Sequence, residues 1–263
     1  MGPNLQEFTN PALYDAENRW SAADDFYLAL TQQVGGPVLD VACGTGRLTR
    51  AIAQTGLPVT GMDIMPAMLE RARALSQHLP ITWMQADGRT FNLAQHFRCV
   101  LMTGHAFQNL LTDADQDAFL ARAFDHLMVG GTLAFDTRNL QGRTYGTTSD
   151  YTLWRSFQDP TGRWIDVWVA SQFDPHTMID HVQLVRKVRE TGKTWPSQIA
   201  LRYIGVEALN QRLAAHGFTV VAQYGHWSKT PCMLSSPEII TACRREAQPG
   251  TGEPYRASRT VCL

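Results

Sequence analysis

From residue 38 onward the apolar positions follow two alternating rhythms. Short runs at 38–41, 58–62, 81–85, 97–102 and 132–136 have the length and composition of buried strands. Between them the apolar residues recur at helical spacing: Leu48 with Ala51, Ile52 and Ala53, then Met68, Leu69, Ala72 and Leu75, then Phe119, Ala123 and Leu127. Local chemistry marks the helix ends. Pro66 suits a first helical turn, Thr112 with Asp115 has the form of a capping box, and Gly130-Gly131 is the expected stop. Upstream, 1–10 shows no periodicity, 13–20 is a polar–aromatic stretch, and 21–33 reads as a helix capped by Ser21. Strands alternating with helices predict a parallel sheet covered by helices on both faces.

The rhythm changes after residue 136. Segments 151–157, 164–173, 178–189 and 199–204 alternate like half-buried strands. Asp159-Pro160-Thr161-Gly162, Asp174-Pro175-His176 and Thr191-Gly192 are the turns between them. This predicts an antiparallel sheet inserted before a last helix at 206–216, which Gly217 ends. Segments 218–224 and 238–243 then close the main sheet as an antiparallel pair, and 247–263 reads as a tail. The expected division is 1–36 as lid and helix, 37–140 with 205–245 as the main unit, 141–204 as the insert and 246–263 as a flexible end.

Composition narrows the function classes. The chain has 263 residues, 44% of them hydrophobic, and a formal net charge of −1. No dense Lys/Arg run is present, which argues against a nucleic-acid binder. The five cysteines are scattered without a CxxC pair, so neither a zinc knuckle nor a disulfide framework is indicated. No basic stretch followed by an apolar core opens the chain, and no segment approaches membrane-spanning length. A soluble, cytoplasmic protein without membrane partners is the expectation.

The candidate chemistry begins at Asp40-Val41-Ala42-Cys43-Gly44-Thr45-Gly46. Gly44 and Gly46 allow a tight turn and close approach of a ligand between strand and helix. Asp40 stands at the mouth of that turn, where a pyrophosphate would be repelled and a cation attracted. Asp63 and Asp87 follow the next two strands. A dinucleotide fingerprint would place a third glycine where Thr49 stands, and a threonine there would hinder close helix–strand packing.

Carboxylates at three strand ends, with this loop, resemble the class I S-adenosylmethionine (SAM)-dependent methyltransferases, although Ala42 replaces the first glycine of their motif. The resemblance implies an α/β, Rossmann-like, seven-stranded and mostly parallel sheet with SAM as cofactor. It places Ala42 and Gly44 at the methionine part, Asp63 on the ribose, and Asp87 with Gly88 at the adenine, with Asp40 and Gly46 also among the cofactor-binding residues. Ile64 and Met68 would cover the adenine or ribose faces, and Thr103, Gly104 and His105 would lie beside the sulfonium. From Tyr14 to Arg244 the chain is similar to bacterial N-methyltransferases of amino sugars and small amines. The family often uses a lid, here Tyr14 and Trp20.

For the acceptor, an amine needs only deprotonation, whereas a hydroxyl needs a general base. His105 is the candidate base, with a role as cofactor ligand equally open, and Tyr14 is a second catalytic candidate. Trp20, Trp168, Arg202 and His226 are the candidate acceptor contacts, while the tryptophans of the insert read first as core residues, with a pocket wall or a homodimer interface as the alternatives. No metal is expected. The turn 174–181 is explained by its turn residues, and Asp136 with Asn139 lacks the adjacent Asp-Asn of catechol-type enzymes. O-methylation with His105 as base and a non-catalytic SAM-binding protein are the alternative readings.

Overall fold

The computed structural model describes residues 3–140 and 148–247. A short 3-10 helix, Pro3–Phe8, leads into α1 (Pro11–Glu17) and α2 (Ala22–Val34). Then come β1 (Val38–Val41), α3 (Arg47–Gln54), β2 (Val59–Asp63), α4 (Pro66–Leu75), β3 (Ile81–Gln85), β4 (Phe97–Met102), α5 (Asp113–His126) and β5 (Leu127–Arg138). The smaller sheet is built from β6 (Thr148–Gln158), β7 (Trp164–Asp174), β8 (Ile179–Val188) and β9 (Thr194–Arg202). The chain returns through α6 (Val206–Ala215), β10 (Phe218–Tyr224) and β11 (Glu238–Arg245).

The main sheet has seven strands in the order β10-β11-β5-β4-β1-β2-β3, with β11 antiparallel to both neighbours. Both faces are covered, which is why its strands read as apolar runs. Leu39, Val41, Met62, Val100 and Phe135 belong to one core layer, and Val38, Val59, Cys99, Leu101 and Ala134 to the other. Complete burial of each large side chain is worth roughly 1.5–3 kcal/mol. The four-stranded antiparallel sheet, ordered β6-β7-β8-β9, buries Phe157, Ile165, Val167, Leu184 and Val188, with Leu13 and Ala16 of α1 packed against them. No described helix is long and apolar enough to cross a membrane.

Two of the boundaries that differ from the sequence reading have a clear physical cause. Helix α5 ends at His126, before Gly130-Gly131, because His126 closes it: its Nδ1 donates to the Arg122 carbonyl at 2.7 Å and its Nε2 accepts the Leu93 N–H at 2.8 Å. Leu127 is then extended and already paired with Phe97 in β5. Strand β9 starts at Thr194 and includes Pro196, which an edge strand tolerates because no further strand needs its outer N–H groups. The stretches 141–147 and 248–263, including most of the expected tail, lie outside the described residues.

Candidate active site

The turn after β1 has three residues in the left-handed region, Ala42 (φ 57°), Gly44 (57°) and Gly46 (73°). Gly46 is required twice over. A Cβ there would lie 2.2 Å from the Trp83 indole, which also crosses Gly61, where a Cβ would lie 2.3 Å away. Thr49 does not hold α3 off the sheet, contrary to the sequence reading. Its hydroxyl donates to Asp40 Oδ2 at 2.6 Å, and its methyl sits where a Cβ on Gly61 would come within 3.1 Å. The small residue that permits close packing stands on the strand, not on the helix.

The three strand-end acids have different environments. Asp40 is 1% exposed, and its Oδ1 has no hydrogen-bond partner among the described residues. Burial pushes its carboxyl up to about 7, against the pull of the Thr49 hydroxyl. Asp63 accepts the Gly44 N–H and the Met65 N–H, each at 2.8 Å, and burial also raises its carboxyl. Asp87 is clamped by Arg89, which also reaches Asp115; the clamp holds Asp87 below the usual carboxylate range.

A cleft of about 1150 Å³ opens between the carboxyl ends of the main strands, α1, and the inner face of the smaller sheet, where open α/β sheets bind ligands. Ala42, Thr103, Gly104 and His105 line it, and so does Tyr14. The Tyr14 ring covers the glycine turn, 3.7–3.9 Å from where a Cβ on Gly44 would stand, and burial raises its phenol. Asp40, Gly44, Gly46, Asp63, Ile64, Met68, Asp87 and Gly88 lie outside this lining. Met68 is buried and Ile64 is 39% exposed.

His105 caps the turn after β4 with a left-handed backbone (φ 60°). Its N–H donates to Asp136 Oδ2 at 2.8 Å, and its Nε2 is 2.8 Å from Glu238 Oε2 and 3.5 Å from Asp136 Oδ2. The Tyr27 hydroxyl donates to Asp136 Oδ1 at 2.7 Å. Asp136 is fully buried, so its carboxyl is raised, against the opposing pull of the neighbouring His105. One ligand atom from each of His105, Asp136 and Glu238 could converge on a cation, these atoms lying within 4.8 Å of one another. Both Asp136 oxygens and Glu238 Oε2 already have hydrogen-bonding partners, so a cation there would have to displace them.

The four acceptor contacts expected from sequence stand elsewhere. Trp20 is 43% exposed and donates to Asp25. Trp168 lies on the face of β7 opposite Val167 and Val169, and it is the valine face that packs inward and meets the cleft. Arg202 is drawn to Asp113 on α5, and His226 bonds Ser228 at the surface. Trp154, Trp195, Tyr203 and Trp227 line the cleft instead. Tyr27 and Glu238 had no sequence signal: one falls in a helical stripe, the other at the start of a strand.

Residues 38–131 match the family model described as a methyltransferase domain. That stretch is a methyltransferase domain. In sequence, the chain is 33% identical over 142 residues to the glycine/sarcosine N-methyltransferase of Parasynechococcus marenigrum, covering 51% of the chain and 50% of that protein. It is 36% identical over 115 residues to the demethylmenaquinone methyltransferase of Tropheryma whipplei, covering 43% and 46%. The chain thus spans about half the length of the curated relatives it matches. In structure, the CcbJ methyltransferase from Streptomyces caelestis gives a TM-score of 0.77 at 18% identity, over 94% of this chain and 98% of that one. SAM-bound CalS10, an amino pentose methyltransferase from Micromonospora echinaspora, gives 0.68 at 21%, over 88% and 94%. At these identities the structural likeness establishes the fold.

The residues present fit SAM. The turn is backed by Asp40, whose buried Oδ1 has no hydrogen-bond partner among the described residues. Gly104 leaves open space above the end of β4, since a Cβ there would meet nothing within 4 Å. Asp63, at the end of β2, has its carboxylate beside the Gly44 N–H, within the same turn.

Proposed function

We propose that this chain transfers a methyl group from SAM to a nitrogen of a small molecule. When bound, SAM supplies a methyl carbon on a positively charged sulfur, open to in-line displacement. The chain must deliver a neutral amine in line and without water, and positioning of this kind can lower a barrier by ~7–11 kcal/mol.

The observation that carries the reading is the surround of His105. Glu238 accepts the Nε2 proton at 2.8 Å, which fixes the tautomer and leaves the Nδ1 lone pair as a proton acceptor. Nδ1 has no protein partner among the described residues. An amine arriving as its ammonium gives its proton to His105, and Asp136 and Glu238 stabilise the imidazolium that results. Tyr27 keeps Asp136 in place for this. A hydroxyl could use the same base; what favours nitrogen is the acidic group of Asp136 and Glu238 around it, which attracts a cationic amine and not a neutral alcohol. Tyr14, over the glycine turn, excludes water. We assign cofactor contact to the turn 42–46 with Asp40 and Asp63, to Thr103 and Gly104, and to Asp87 and Gly88 once Arg89 is displaced. We assign acceptor contact to the insert, 141–204.

Nitrogen acceptors are named for the glycine/sarcosine enzyme and for the sugar N-methyltransferase KedS8, whereas other relatives bear other names, among them a malonyl-[acyl-carrier protein] O-methyltransferase. The choice of nitrogen therefore rests on the carboxylates around His105. Purified protein with SAM and matched panels of amines and alcohols should release S-adenosylhomocysteine only with amines. His105→Ala should lower kcat by about a hundredfold or more, while S-adenosylhomocysteine affinity measured by calorimetry moves little. Tight S-adenosylhomocysteine binding without turnover of any acceptor would overturn the reading.

A further inference from the structure

The cleft has an electrically unbalanced cation. Of the arginines that line it, Arg47 is held by Asp24, Arg163 by Asp159, and Arg155 and Arg186 by Glu17. Arg19 and Lys193 are exposed. Arg138, at the end of β5, is half-buried and lines the cleft, yet no described carboxylate pairs with it. Its side-chain partner is the neutral amide of Gln108, whose Oε1 accepts both the Arg138 backbone N–H and Nη1–H at 3.2 Å. Gln108 is fully buried and anchored in turn to the Arg202 carbonyl at 3.3 Å. An amide in this place aims a guanidinium without neutralising it. Nε and Nη2, the edge suited to a forked contact with an oxyanion, have no described protein partner.

The opposite pole stands two residues earlier. Asp136 and Arg138 point to the same face of β5, their Cα atoms roughly 7 Å apart, and Asp136 carries the acidic group formed with His105 and Glu238. One strand therefore offers a carboxylate-backed imidazole for a cationic nitrogen and, one pleat further, a guanidinium for an anion.

We propose that Arg138 binds the carboxylate of the methyl acceptor, so that the substrate class is amino acids and other amines with a carboxylate close to the nitrogen. This deepens the methyl-transfer reading and rests on it. Gln108 is a positioning residue in this arrangement, and Asn109, which also lines the cleft, borders the same space.

The test compares glycine, sarcosine, β-alanine and phenylalanine with methylamine, phenethylamine, O-phosphoethanolamine and an amino sugar. Both S-adenosylhomocysteine release and direct acceptor binding to the S-adenosylhomocysteine complex are followed. The expected result is turnover and binding of one or more amino acids, with the matched amine lacking a carboxylate weaker by about a hundredfold. Arg138→Gln should raise KM for the amino acid by a similar factor, whereas Arg138→Lys, which keeps the charge but loses the fork, should recover part of it. Melting midpoints of both variants verify folding. Preference for O-phosphoethanolamine, equal use of amines without a carboxylate, or an Arg138→Gln variant with unaltered KM would each overturn the proposal while leaving methyl transfer standing. Turnover of nothing would fail the methyl-transfer reading instead, and the binding arm would still decide on Arg138: failure of every amino acid to bind overturns it.

Discussion

Asp40 shows how a single atom's surroundings set a measurable property. It is buried, bonded on one oxygen and unbonded on the other, and its carboxyl is pushed up to about 7. The folded chain therefore holds a proton that the unfolded chain has released once pH exceeds the ordinary carboxylate range. Stability is highest below that range and falls as pH rises toward 7, by on the order of 4 kcal/mol at most from this group. Asp63 and Asp136 push in the same direction. Urea unfolding at pH 5 and pH 8 should show wild type losing more stability across this interval than Asp40→Asn, which keeps the Thr49 acceptor without the charge. Gly46→Ala should cost about 2–4 kcal/mol, since it combines a left-handed backbone with a clash on Trp83. The same denaturation curve reads it.

At the scale of elements, the informative piece is α1. Tyr14 covers the Gly44 turn, Asp15 accepts from Thr45 and pairs with Arg71 of α4, and Glu17 is buried between Arg155 of β6 and Arg186 of β8. Arg186 is 5% exposed and also bonds Glu7 and Ser197. Arg186→Met would leave half-buried Glu7 without its arginine and buried Glu17 with Arg155 alone, a loss of up to about 3–5 kcal/mol where one partner of a buried pair is removed. The loss should be local. Hydrogen exchange and limited proteolysis over residues 3–20 should accelerate well before the main sheet opens. The strands and helices of the main sheet were legible because their signals are local: apolar runs, the Thr112 box, the glycine turn. The acceptor side was not, because its bonds join residues far apart in sequence. His105 meets Glu238 across 133 positions, and Arg186 meets Glu17 across 169. The tryptophans of β7 misled for a related reason, since alternation separates two faces without saying which one meets the lid.

Across the whole molecule, the main sheet supplies the cofactor turn and His105, and the smaller sheet supplies most of the apolar wall. Only α1 and the 3-10 helix before it bridge the two from the N-terminal side, through Glu17 to Arg155 and through Asn4 to Ala200 of β9. One short helix is thus fastened at once to the cofactor loop and to the acceptor wall. If methyl transfer proceeds as proposed, this shared fastening ties release of the methylated product to release of S-adenosylhomocysteine in a single exit event. Rapid mixing should then reveal a fast first turnover followed by a slower steady rate, and loosening the helix with Arg186→Met should shrink that burst by hastening the exit.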